Sequence, residues 1–215
     1  MTPETCPPEP TADCNLCPRL VDFRTANQAK FPAFFNGAVP SFGDDNAEIL
    51  IIGLAPGLKG ANQTGRPFTG DYAGDLLYKC IAQMGWSSGN YDQHINDGFT
   101  LKKVMVTNAV RCVPPQNKPI GSEVNNCRPF LISRLKHLPK VKVMLALGKI
   151  AHDTAIKTFG LKQSAYKFAH EAVHKLPNGL TLVDSYHCSR YNVNTKRLTE
   201  EMFMNALQRV EEEAK

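Results

Sequence analysis

Four short apolar runs, at 48–54, 104–110, 141–147 and 180–185, limit the folds open to this chain more than any other feature. Each is rich in Ile, Val, Leu or Met, and none alternates cleanly between apolar and polar positions. That pattern belongs to strands buried on both faces. Between the runs, apolar residues recur at helical spacing over 72–84, 122–137, 149–159 and 199–212. Strands alternating with helices imply βαβ units, and hence an α/β fold in which a mainly parallel four-stranded sheet carries helices on both faces. Ligands of such sheets bind outside the carboxyl ends of the strands. Chemistry is therefore expected directly after each run.

Three of the four runs meet that expectation. Gly53-Leu54-Ala55-Pro56-Gly57 closes the first, and Gly65-Arg66-Pro67-Phe68-Thr69-Gly70-Asp71 comes soon after it. The second leads into Thr107-Asn108-Ala109-Val110-Arg111-Cys112, the fourth into Asp184-Ser185-Tyr186-His187-Cys188-Ser189-Arg190. Only Gly148-Lys149 follows the third, which reads as plain turn punctuation.

A chain of 215 residues, 42% of them hydrophobic, has enough apolar material for one core. The expected organisation is a single domain over 14–215 behind a flexible lead-in over 1–13, where four prolines stand among few apolar residues. No run approaches the ~18 apolar residues of a membrane span. The N-terminus lacks the basic-then-apolar order of a secretory signal. A cytoplasmic protein is expected, and nothing calls for an obligate partner, so a monomer is expected too. The net charge of +5 permits a polyanionic partner without demanding one.

Seven cysteines in a reducing compartment need a reading other than disulfides. Cys14 and Cys17 form a C-x-x-C, the one spacing here that resembles metal ligation, and Cys112 and Cys127 stand far downstream. Four such thiolates suit a tetrahedral zinc or a four-iron cluster. Spacing leaves both open, beside the plainer reading of Cys112 and Cys127 as core thiols. A metal joining these segments would pin the N-terminal arm to the body by closing a long loop.

The other motif residues each have an ordinary structural role available. Glycines around Pro56 suit a tight turn that lets backbone approach a ligand. No Gly-x-Gly-x-x-Gly and no Gly-Lys-Ser/Thr follows, which removes dinucleotide and ATP sites. Asp71 suits an N-cap, Asn108 suits turn backbone, and Phe68 suits the core. His187 beside Cys188 suggests a Cys–His hydrolase, although no base is placed to activate the thiol. What gathers these residues is their shared place at the carboxyl ends of the expected strands.

Taken in order from Cys14 to Arg190, these strings together with Gly60-Ala61-Asn62-Gln63-Thr64 resemble the iron–sulfur uracil-DNA glycosylases, most closely the family 5 type. The resemblance implies a three-layer α/β/α sandwich and one structural [4Fe-4S] cluster on Cys14, Cys17, Cys112 and Cys127. It also implies DNA containing uracil or other deaminated bases, such as hypoxanthine, as substrate. Family 4 relatives carry Glu where Leu54 stands; here, as in family 5, that position is apolar and the acidic residue is Asp71. Two residues depart from the pattern. Cys188 replaces the proline of the usual His-Pro-Ser, and Lys59 stands where members often carry His.

The chemistry required of such an enzyme suits these residues. A glycosylase must extrude its base from the stack. Phe68 offers a flat face to the flipped base, and Asn108 offers its edge a donor and an acceptor. His187 would stabilise negative charge developing on the departing base. Asp71 would polarise the attacking water or stabilise the sugar cation. Gly53, Leu54, Ala55 and Gly57 would line the base pocket, while Ser189, Arg190, Lys196 and Arg197 would contact DNA. The expected function is thus a monofunctional DNA glycosylase of base-excision repair. Two rivals stand beside it: an iron–sulfur DNA-binding module without catalysis, and a small-molecule hydrolase using Cys188 and His187.

Overall fold

Each of the four apolar runs forms a strand in the computed structural model, which describes residues 6–215. The chain begins with α1 (Pro18–Lys30), the two-residue β1 (Phe42–Gly43), β2 (Ile49–Gly53) and the single turn α2 (Ala61–Thr64). It continues through α3 (Tyr72–Gln83), the short pair β3 (Ser87–Ser88) and β4 (Thr100–Leu101), and β5 (Val104–Asn108). There follow α4 (Gly121–Lys136), β6 (Val143–Leu147), α5 (Lys149–Thr158), β7 (Val173–Lys175), β8 (Thr181–Ser185), α6 (Arg190–Asn194) and α7 (Glu200–Ala214).

Six strands build the main sheet, in the order β1-β5-β2-β6-β8-β7. The inner four run parallel and are buried at every residue, while β1 and β7 pair antiparallel at the edges. The expected four-stranded sheet is therefore corrected to six. The two added strands are only two and three residues long and partly exposed, too short for any periodicity to mark them.

Alternate residues of the inner strands serve two cores, which is why their sequence does not alternate between apolar and polar. Ile49, Ile51, Val104, Val106 and Leu145 pack with Leu77 and Ile81 of α3 and with Phe203 and Leu207 of α7. Leu50, Ile52, Met105 and Met144 pack on the opposite face with Leu131 of α4 and with Ala155 and Ile156 of α5. The result is a three-layer α/β/α sandwich. Parallel register brings the carboxyl ends level: Gly53 pairs with Asn108, and Leu147 with Ser185.

Within the expected flexible lead-in, residues 6–13 make specific contacts with the body; residues 1–5 lie outside the described residues. Cys6 is buried, and its carbonyl accepts a hydrogen bond from the Ser133 hydroxyl at 2.6 Å. Glu9 is bound by Arg111 at 2.7 Å and by Arg134, and accepts from the backbone N–H of Ser41 at 2.9 Å. Polar anchoring of this kind leaves no apolar signature. The same holds for α1, whose inner face carries Arg24 and Asn27 beside Leu20.

Candidate active site

The level strand ends open onto a cavity of about 710 Å³ lined by Leu54, Ala55, Gly57, Lys59, Asp71, Asn117, His187, Ser189 and Arg190, among others. Behind it lies a narrow recess formed by Pro56, Phe68, Asp71, Asn108 and His187, with Ala55 and Gly57 shared. The structure thus brings Phe68 and Asp71, Asn108, and His187 together from three separate stretches of chain.

Close approach dictates the glycines. A Cβ on Gly53 would lie 2.3 Å from Asn108 Oδ1 and 2.5 Å from Phe68 Cζ, so only glycine lets the amide and the ring meet above β2. A Cβ on Gly60 would lie 2.2 Å from Asp71 Oδ2, so the turn before α2 is shaped around that carboxylate.

Asp71 performs its ordinary structural role as well, capping α3 by accepting from the backbone N–H of Gly74 at 3.1 Å. Burial raises its carboxyl above the usual range, and the N–H groups of Gly74 and Ala73, with Arg190, only partly offset this. Its Oδ2 lies close against the backbone of Gly57 and Gly60. His187 is pushed down to about 4 by burial, so its ring is neutral at pH 7. No hydrogen bond reaches that ring among the described residues. Phe68 stacks against it with ring centroids 5.9 Å apart and planes 26° apart. Asn108 is buried, and its Oδ1 has no partner among the described residues.

Cys188 takes no part in this constellation. Its side chain is fully buried, its Sγ donates to the Ala73 carbonyl at 3.4 Å, and burial pushes the thiol far above the ordinary range. A protonated thiol facing away from solvent is no nucleophile, so the Cys–His hydrolase loses its attacking group.

Of the expected DNA contacts, Ser189 and Arg190 lie on the cavity wall. Ser189 caps α6 and Arg190 stands 5.5 Å over the Tyr72 ring. Lys196, at φ +56°, sits in the turn after α6 and does not line this cavity. Arg197 packs its guanidinium 4.7 Å over Tyr186. Sequence reasoning missed Gly148, Lys149 and Ile150, which line the cavity because α5 starts directly at the end of β6. It also passed over Tyr191, which is 73% exposed in α6 next to the cavity-wall residue Arg190 and whose only signal was its position four residues after His187.

A second, small cavity is lined by all four expected ligands, the half-buried Cys14, Cys17, Cys112 and Cys127, with Leu20, Ala38 and Phe130 among its apolar walls. Burial pushes the Cys112 and Cys127 thiols up to about 12, and neighbouring thiols add to it. The backbone N–H of Arg111 points at Cys127 Sγ at 3.3 Å, and the amide of Asn126 at Cys17 Sγ at 3.7 Å. These sulfurs are not a set gathered within 4.8 Å, as His152, His174 and Asp184 are. The latter group lies under the sheet end as a buried hydrogen-bonded set. Tyr166 carbonyl fixes His152 Nε2 as a donor at 2.9 Å, while Nδ1 meets Asp184 Oδ1 at 2.8 Å. An imine nitrogen and a carboxylate cannot face each other without a proton between them. Burial opposes charge on His152, but Asp184 raises its pKa on balance.

The sequence model of the uracil DNA glycosylase superfamily matches residues 40–211 of this chain. A type-5 uracil-DNA glycosylase of Thermus thermophilus is 45% identical over 199 residues, covering 90% of each chain. Another from Pyrobaculum aerophilum is 36% identical, covering 94% of this chain and 89% of its own. A type-4 uracil-DNA glycosylase of the same organism is 34% identical over 57% of this chain and 55% of its own. With 45% and 36% identity to type-5 proteins over nearly its whole length, this chain belongs to the uracil-DNA glycosylase superfamily, in its type-5 branch.

Proposed function

We propose that this protein excises uracil from DNA by hydrolysing the N-glycosidic bond, the opening step of base-excision repair. The observation that carries the proposal is the buried amide of Asn108, which shares one recess with Phe68, Asp71 and His187. An amide offers a donor and an acceptor to a base edge, which matches a carbonyl beside an imide N–H. Phe68 supplies the stacking face for a base flipped out of the duplex.

Cleavage leaves negative charge on the base and positive charge on the sugar. The neutral His187 ring donates a hydrogen bond to a carbonyl oxygen of the departing base, strengthening as charge develops there. Asp71, anchored at the start of α3, orients the attacking water or faces the sugar cation. With apolar Leu54 on the cavity wall, few polar groups reject a different base, so hypoxanthine and other deaminated bases enter the proposed range.

DNA phosphates would meet Ser189, Arg190 and the amino end of α5, where free N–H groups favour an anion. Tyr191, exposed in α6 directly after the loop that carries His187, suits the gap left by an extruded base, a wedge role for an aromatic residue. The protein would act as a monomer in the cytoplasm, where its substrate is reached without a partner.

The four cysteines fit a [4Fe-4S] cluster better than one zinc ion. Tetrahedral zinc holds its sulfurs about 2.3 Å from a single centre, which needs them closer together than these lie. The two N–H···S contacts are of the kind that tune cluster thiolates. When bound, the cluster would supply cross-linking rather than chemistry. Cys112 belongs to the connection between β5 and α4, which also carries Asn117 to the cavity wall.

The test is release of free uracil from a uracil-containing duplex by anaerobically purified protein, with the visible iron–sulfur absorption recorded on the same sample. Uracil release with the band supports both assignments. The band with DNA binding but no product favours a binding module and overturns the catalytic reading.

A further inference from the structure

We propose that Arg66 is a positioning residue of base excision: locked on Asp97 inside a cage of aromatic rings, it holds the 65–70 loop in the one conformation that presents Phe68 to a flipped base. The inference rests on the glycosylase reading. Arg66 lines neither the cavity nor the recess, so it acts only through what it holds.

Phe68 has φ +51°, in the left-handed region that a bulky residue rarely enters. Such a backbone persists only where its surroundings over-determine it. Here five consecutive residues are tied to one cage. Arg66 makes a bidentate pair with Asp97, at 2.8 and 2.6 Å, and its Nε donates to Thr69 Oγ1 at 2.8 Å. Tyr78 hydroxyl donates to the Pro67 carbonyl at 2.6 Å. Tyr91 hydroxyl donates to the Phe68 carbonyl at 3.2 Å and accepts from the Gly70 N–H at 3.3 Å.

The guanidinium lies 5.0 to 6.0 Å from the ring centres of Phe42, Tyr91, Tyr78 and Phe99. Its partner Asp97 is itself pinned by the backbone N–H groups of Asp92 and Phe99. A buried ion pair is rarely the cheapest way to stabilise a core, and apolar residues of similar volume often serve as well. What apolar residues cannot do is direct hydrogen bonds to particular atoms of a loop. The planar fork and the extra donor of Arg do so, and Lys would not.

Arg66→Lys retains the charge and loses the fork. Because a 1 Å misplacement costs about 100-fold, kcat for uracil excision is expected to fall roughly 10- to 100-fold, with KM changed by no more than about threefold. The same substitution made in a Phe68→Ala background should cost no more than about twofold, since the residue it positions is gone. Tyr91→Phe leaves the ion pair intact and removes the hydroxyl bracket on Phe68 and Gly70; it should lower kcat with an unchanged melting temperature, and it carries the test alone if Arg66→Lys does not fold. Full kcat in both variants, or an equal loss with and without Phe68, overturns the proposal. Failure of the unmodified protein to release uracil would instead overturn the reading beneath it.

Discussion

Phe68 and His187 face each other at 5.9 Å across the recess, and the chain holds them by opposite means. The Phe68 side is braced by side chains: an ion pair, two tyrosine hydroxyls and Thr69 fix five successive residues. The His187 side is held through its backbone. Asn192 donates to the His187 carbonyl at 2.8 Å, Ser189 caps α6, and the Cys188 thiol reaches Ala73. Its imidazole itself has no partner among the described residues. A stacking platform must not move, whereas a donor to a developing charge needs its proton uncommitted until the base arrives. Under the proposed roles of Phe68 and His187, the two walls divide those demands between them.

Asp71 lies between the walls and should show the largest effect. Asp71→Asn keeps a side-chain oxygen for the α3 cap while removing the charge, so excision should fall about 10²- to 10⁴-fold. Single-turnover rates beside affinity for abasic-site DNA check this; a matching loss of affinity would mean the walls had shifted. Next comes the free wall. His187→Ala should lower kcat about 10²- to 10³-fold with little change in melting temperature, since no hydrogen bond to its ring is lost. A large drop in melting temperature would erase the contrast between the walls.

Titration gives a smaller, opposed pair of effects. Burial holds His187 at about 4, below its ordinary 6.5, so between those values only the unfolded chain takes up the proton. Stability should therefore fall as pH drops from 6.5 toward 4. His152, raised by Asp184, works in the other direction: its contribution is present below 6.5 and lost as pH climbs through the folded value. Denaturant unfolding across pH checks both, and His187→Ala should flatten only the acid side. The smallest expected effect is Cys188→Ala. Losing the buried sulfur should cost about 1 kcal/mol of stability, while excision stays near the parent rate; abolished excision in a folded variant would return the thiol to the mechanism.

How much of this was legible in the sequence depended on how each part is held. The inner strands were legible because both faces are apolar, and β1 and β7 were not, because two or three residues carry no period. Likewise α1 went unread because Arg24 and Asn27 occupy its inner face. Arg24 binds the carbonyls of Asp13 and Cys14, a polar use of a buried position that looks like surface in a sequence. Asp71, Asn108, Phe68 and His187 were legible from the strand-end rule. Gly148–Lys149 was misread as punctuation, since a glycine ending a strand looks alike whether its helix faces solvent or a groove. The brace around Phe68 was invisible because Asp97, Tyr78 and Tyr91 are remote from Arg66 in the chain and share no motif.

The short edge strands have a consequence for the protein in concentrated solution. A parallel sheet of continuous Ile, Val, Leu and Met would offer a ready template to other chains if its outer strands lay open. Here β5 and β8 are each covered by a strand of two or three residues running the opposite way, and exposed Lys175 ends the outer one. The outermost strands are thus too short to template a long edge, which disfavours edge-to-edge growth.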